Sequence, residues 1–185
     1  MARDQESIII VGKQKTGKTK YALDFLSRYS KRALAIVPDL RESKYTNFKV
    51  ITINEVHKSP HRAQIVFDRQ DKLFLRKVYE QFINGAVIFD DTKFCIRPWN
   101  YYDIEDIIGR RRQSNIDTIC MYHGFGRIPD FAWDYHTKMV LFQVLTTQTN
   151  SKINDARVEY VNKLAAADPA AKNNISHIFR EFQLQ

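Results

Sequence analysis

The chain has 185 residues, 44% hydrophobic and 27% charged, which is globular composition and enough length for one domain with a full core. No apolar run approaches the roughly 20 residues that span a bilayer, and the polar start MARDQES does not read as a signal peptide. Two cysteines, Cys95 and Cys120, exclude a disulfide framework or a CxxC metal site, so buried thiols in a reducing cytoplasm are expected. Lys+Arg 29 against Asp+Glu 21 leaves a net charge of +8, which favours a polyanionic partner, nucleic acid above all.

The chain opens on Ile8-Ile9-Ile10-Val11, a short apolar run of the kind that forms a buried parallel strand. Gly12 to Thr19 follows, and then a helix with Tyr21, Ala22, Phe25 and Leu26 on one face. Arg32 to Val37 reads as a second buried strand, stopped by Pro38, with a polar loop over 39–47. Lys49 to Ile53 and Gln64 to Phe67 read as two further strands, the latter peripheral. Asp71 can cap a helix carrying Phe74, Leu75, Val78, Tyr79, Phe82 and Ile83, which Asn84-Gly85 ends as a C-cap.

Ala86 to Asp91 is an apolar strand closing on two carboxylates. Asn100 can cap a helix with Ile104, Ile107 and Ile108 inward, ending at Gly109-Arg110-Arg111-Arg112. Ile116 to Tyr122 is the next strand, ending at His123-Gly124, and Met139 to Val144 the last. A polar linker over 146–152 leads to two expected helices. One is capped by Asn154 and carries Val158, Val161, Leu164 and Ala165; the other starts at Asp168-Pro169 and carries Ile175, Ile178, Phe179 and Phe182. Strands alternating with helices predict an α/β fold with a mainly parallel sheet, helices on both faces and a C-terminal helical pair. The division is a core over 1–145 and a helical extension over 146–185, packed on the core or on a neighbouring subunit. In such a sheet ligands bind at the strand C-termini, so the loop after Val11, Asp90-Asp91 and His123 can meet.

Gly12-Lys13-Gln14-Lys15-Thr16-Gly17-Lys18-Thr19 matches the phosphate-binding pattern G-x-x-x-x-G-K-[ST] in its required place between a strand and a helix. Gly12 and Gly17 let the backbone approach phosphates, and successive N–H groups, from Lys13 through Lys20, cradle them at the helix N-terminus. Lys18 is the point charge for the β- and γ-phosphates of ATP, and Thr19 offers a hydroxyl to Mg²⁺. Asp90 stands where a Walker B acid would hold the Mg²⁺ shell, and Asp91 where a base would orient water. His123 reads either as a polar sensor of the γ-phosphate or as a loop histidine. Arg110, Arg111 and Arg112 read either as cations stabilised by a helix dipole or as the source of an arginine finger for a neighbouring subunit.

GKQKTGKT, AVIFDD and above all GRRRQSNIDTICMYHGFGRIP together resemble the FtsK–HerA superfamily of DNA-pumping ATPases, within it the small viral genome-packaging and filamentous-phage assembly ATPases. The likeness covers about Ser7 to Val144. It implies a P-loop nucleotidase of the ASCE type, ATP and Mg²⁺ as cofactors, and a ring, pentamer or hexamer, with ATP between subunits and DNA in the pore. It also implies capsid or assembly partners and a host-cytoplasmic or virion-associated setting. The chain departs from the family's usual Asp-Glu at Walker B, where Asp91 is a methylene shorter, and from its usual Gln sensor, where His123 stands. A small-molecule or nucleotide kinase and a weakly hydrolysing nucleotide-binding scaffold are the competing readings.

Overall fold

The computed structural model describes residues 4–30, 32–42, 44–125, 128–142 and 179–183. Its frame is an eight-stranded sheet in the order β3-β4-β2-β5-β6-β1-β7-β8, built from β1 (Ser7–Val11), β2 (Ala33–Val37), β3 (Lys49–Val50), β4 (Arg62–Val66), β5 (Gly85–Phe89), β6 (Ile116–Tyr122), β7 (Lys138–Phe142) and β8 (Phe179–Gln183). Seven strands run parallel, and β8 lies antiparallel on β7. The continuous apolar runs of β1, β2 and β5 follow from burial on both faces.

Alternate residues feed two cores. Ile8, Ile10, Ala33 and Ala35 meet Ala22, Phe25 and Leu26 of α1 (Lys18–Tyr29). Ile9, Val11, Leu34 and Ile36 face the other way, against α2 (Phe74–Gln81), α4 (Tyr101–Gly109) and α5 (Asp130–Tyr135). A four-residue helix, α3 (Thr92–Cys95), leaves β5 directly after Asp91.

Several elements differ from expectation. Pairing ends at Val50, and Ile53–Lys58 winds into a 3₁₀ helix closed by a reciprocal Thr52–Glu55 cap. β4 is not peripheral: β3 flanks it outside and β2 inside. Asp71 is not the N-cap of α2, which is Leu73 with no side-chain cap; Asp71 instead accepts from Leu73 N at 3.0 Å in the turn that leads into the helix. Asn84 takes a left-handed φ of 57° past the end of α2. Gly85, however, opens β5 rather than capping, and a Cβ there would stand 2.7 Å from the Arg32 carbonyl oxygen. Asn100 does not cap α4 through its side chain. It accepts from Arg97 N and donates to Cys95 O, so it pins the preceding turn. The short α5 has no counterpart among the elements expected from the sequence. Phe179–Gln183 is a strand, not the end of the last expected helix: paired with β7 it satisfies an edge that the helical spacing of Ile175, Ile178, Phe179 and Phe182 gave no hint of. The rest of the expected helical pair lies outside the described residues.

Candidate nucleotide site

β6 lies between β1 and β5, so three strand ends stand side by side: Val11 with the glycine loop, Tyr122 with His123, and Phe89 with Asp90 and Asp91. The β1–β6 pairing extends into the loop, since Gly12 N donates to Tyr122 O at 3.1 Å. A cleft of about 360 Å³ opens there, bounded on one side by Gln14 to Thr19 and on the other by Val37, Pro38, Asp39 and Lys44, with Asp90, Asp91 and His123 between.

The loop holds its shape through its own backbone. Gly17, the residue before α1, has φ 98°, a left-handed conformation open to glycine, and Lys15 has φ 62°. Thr16 Oγ1 donates to Lys13 O at 2.8 Å. Lys18 is 8% exposed, and its Nζ donates to Gly12 O at 2.7 Å and to Lys13 O at 2.9 Å. The ammonium is thus folded onto the loop's carbonyls. Burial pulls its pKa down to about 8; the negative charge of Asp90 opposes this and the positive charge of Lys44 adds to it. Burial pushes the Asp90 carboxyl up, against the opposing pull of Lys44 and Lys18. The His123 ring lies between loop and acids, Nδ1 3.4 Å from Lys18 Nζ and Nε2 3.9 Å from Asp91 Oδ2. Asp91 itself has φ 61° and precedes α3, so its side chain leaves the strand line just where the helix begins.

The cleft contains a cation that the pattern of the sequence did not announce. Lys44 comes from the loop after β2, at the wall opposite the glycine loop. Its neighbour Tyr45 is buried against Asp90, a contact that favours the ionised carboxylate. That turn is fixed from below. Phe48 N donates to Tyr45 O at 2.9 Å, and the buried Gln64 of β4 donates to Tyr45 O and Phe48 O at 3.0 and 3.1 Å. Residues 39–47 read as an ordinary polar loop in sequence, because the anchoring glutamine lies about 20 residues away.

The arginine cluster is not in this cleft. α4 runs toward the start of β6, so its C-terminus lies at the end of the strands opposite the cleft. Arg110 is exposed, bonded to Tyr79 Oη at 3.2 Å and paired with Asp106 at 3.4 Å. Arg111 is 7% exposed, its guanidinium donating to Gln5 O and Ile108 O at 3.2 Å each. That arginine is built into its own chain and is not placed to act as a finger. Arg112 is exposed. Both cysteines are buried and unoxidised, and burial pushes both thiols up, Cys120 to about 12, so neither is a nucleophile at neutral pH.

A strand, glycine loop and helix at the centre of a parallel sheet covered on both faces make this the fold of P-loop nucleotidases, here with β6 inserted between the loop's strand and the strand that bears the acids. Solved structures with this fold include the genome packaging NTPase B204 from Sulfolobus turreted icosahedral virus 2 in complex with AMPPCP, at 14% identity, TM-score 0.67, and 97% of this chain and 93% of that one covered. The DNA-packaging ATPase B204 from Sulfolobus turreted icosahedral virus matches at 12% identity and TM-score 0.61, covering 97% and 92%. A KaiC-like protein from Pyrococcus horikoshii OT3 matches at 15% identity and TM-score 0.50, covering 78% and 73%. No family model matches the chain, and no curated protein does.

Proposed function

We propose that this chain is a Mg²⁺-dependent ATPase that moves DNA, the subunit of a viral genome-packaging motor working as a ring. One observation carries the hydrolytic part: β6 brings His123 between Lys18 and Asp91, so a phosphate cation, a polar side chain and a carboxylate follow one another along the cleft. The fit to Mg-ATP can be judged from the donor set. Among the described residues no group of three or more His, Cys, Asp or Glu could hold a metal by itself. Thr19 and Asp90 are a hydroxyl and one carboxylate, which suits Mg²⁺ that keeps waters and phosphate oxygens as its other ligands.

Bound Mg-ATP supplies a γ-phosphoryl group for transfer to water. The backbone from Lys13 to Lys20 cradles the phosphates, and Lys18 exchanges the Gly12 and Lys13 carbonyls for phosphate oxygens. Asp91 orients the attacking water and takes its proton, while His123 donates toward the terminal phosphate. DNA as the partner is supported by the net charge of +8 and by likeness of fold to packaging NTPases along nearly the whole chain.

The test is ATP turnover with and without DNA, on the wild type and on the two acids. Asp90→Asn should lose Mg²⁺-dependent binding and turnover together, whereas Asp91→Asn should keep ATP bound and lose turnover. Phosphate appearing on an added nucleoside rather than in solution would make the protein a kinase. Wild-type hydrolysis by both variants would remove the acids from the chemistry.

A further inference from the structure

Directly beyond Asp91 the surface changes character. Two arginines approach the ring of Phe94 of α3: the Arg69 guanidinium lies 3.7 Å from its centroid and the Arg97 guanidinium 5.7 Å. The platform is anchored in the core, because Phe94 packs edge-on to Phe67, at 6.2 Å between centroids, and Phe67 is buried. Lys93 beside it is exposed. The turn that follows is rigid, since Asn100 accepts from Arg97 N at 2.8 Å and donates to Cys95 O at 2.9 Å. It presents Trp99 at 47% exposure, and the first turn of α4 presents Tyr102 at 74%. Of the acids nearby, Asp71 is paired with Lys77 at 2.8 Å and Asp68 accepts from Gln70 N, while the charges of Glu105 and Asp130 act on Tyr101 beside Tyr102.

We propose that Arg69, Lys93, Arg97, Trp99 and Tyr102 form the surface on which the protein holds DNA, cations to backbone phosphates and aromatic rings to sugars and bases. Guanidiniums ordered on a ring, beside exposed aromatics, are the chemistry that nucleic acid selects, and the net charge of +8 draws a polyanion to it. The surface is joined to the cleft without a linker: α3 starts directly after Asp91, whose carboxylate faces His123. Phe94 N donates to Asp91 O at 2.9 Å, so the ring and the acid belong to one turn. This rests on the motor reading above and gives it a place of contact.

The experiment is anisotropy of a labelled 30-residue DNA, single-stranded and duplex, titrated with the full chain at several salt concentrations. Arg69→Ala with Arg97→Ala, Lys93→Ala alone and Trp99→Ala alone should each weaken binding, the double variant by about tenfold or more near 0.1 M salt, and the salt slope should fall by about one per cation removed. The form of DNA that binds tighter is the form the surface holds. Arg28→Ala, an exposed cation at the last turn of α1, is the control and should bind as wild type. Binding of a non-hydrolysable ATP analogue should be unchanged in all of them, which excludes misfolding. If the wild type binds DNA and the variants match it in affinity and slope, the surface is wrong and the motor reading stands. If the variants lose assembly in sedimentation but keep DNA affinity, the patch is a contact between copies and the proposal falls. If the wild type binds ATP but no DNA, both readings fall.

Discussion

His123 Nδ1 lies 3.4 Å from Lys18 Nζ, which ties the end of β6 to the glycine loop. The same ring's Nε2 stands 3.9 Å from Asp91 Oδ2, so His123 lies between the cation of the loop and the acid at the end of β5.

Removing that ring should separate binding from chemistry. His123→Ala should bind a non-hydrolysable ATP analogue nearly as wild type but turn over about 10²-fold more slowly, the usual loss for one transition-state donor. His123→Gln, which keeps a donor of similar reach, should recover part of the rate. Isothermal titration and single-turnover kinetics read the two quantities. Equal turnover in all three proteins would leave His123 a loop residue.

Lys18 makes nucleotide affinity depend on alkaline pH. With its ammonium held down to about 8 by burial, the empty site loses its main phosphate cation as pH rises through that value. ATP affinity should be flat from pH 6.5 to 7.5 and then fall, approaching about tenfold per pH unit above 8 until the bound ammonium also titrates. Lys18→Ala should bind ATP weakly at every pH and show no such limb. A wild-type profile flat to pH 9.5 would show that Lys18 is not the cation in question.

Much of this site was legible because its signals are local. The glycine loop, its strand and its helix occupy one continuous stretch, and Asp90-Asp91 end an apolar run, so period and pattern sufficed. The places of His123 and of the arginines relative to the strand ends follow from the parallel sheet alone. What escaped the sequence was set by distant partners. Gln64 fixes the Lys44 turn from another strand, Asn100 spends its side chain on Cys95 and Arg97 instead of a cap, and β8 is a strand only because β7 offers an edge. A short helix such as α5 has too few residues for its period to speak.

His136 sets the acid limit of the fold. Its ring is buried at the end of α5, Nδ1 donating to Ala132 O, with Nε2 unpartnered among the described residues. Burial pulls its pKa down to about 3. The unfolded chain takes a proton near pH 6.5 that the folded chain refuses, so stability is complete above that pH and is lost progressively as pH falls toward 3. The loss is about 1.4 kcal/mol per unit in that window. Denaturant unfolding between pH 7 and 5 should show this slope, and His136→Gln should flatten it whatever its effect at neutral pH. The same slope in the variant would assign the acid limb to other groups.

The arginines at the end of α4 bear on the proposed ring, and their surroundings split them. Arg111 supplies donors to two carbonyls in a buried place, so Arg111→Ala should cost about 1–3 kcal/mol of stability and spoil the protein for reasons unrelated to catalysis. Arg110 and Arg112 are exposed and can be removed without opening the core. They stand at the end of the strands opposite their own cleft, so a part in ATP chemistry would have to be played at a neighbour's nucleotide. The decisive measurement mixes two defective proteins. Lys18→Ala subunits lack the phosphate cation but keep their arginines; subunits with Arg110→Ala and Arg112→Ala keep the nucleotide site. If either arginine acts across an interface, each preparation is inactive alone and the mixture regains turnover wherever an intact arginine faces an intact site. A finger is worth about 10³-fold or more in rate, so a minority of repaired interfaces is measurable. If the double arginine variant assembles and hydrolyses ATP at the wild-type rate, the pair serves α4 alone, Arg110 through Asp106 and Tyr79, and Lys44 becomes the first cation to test within the cleft.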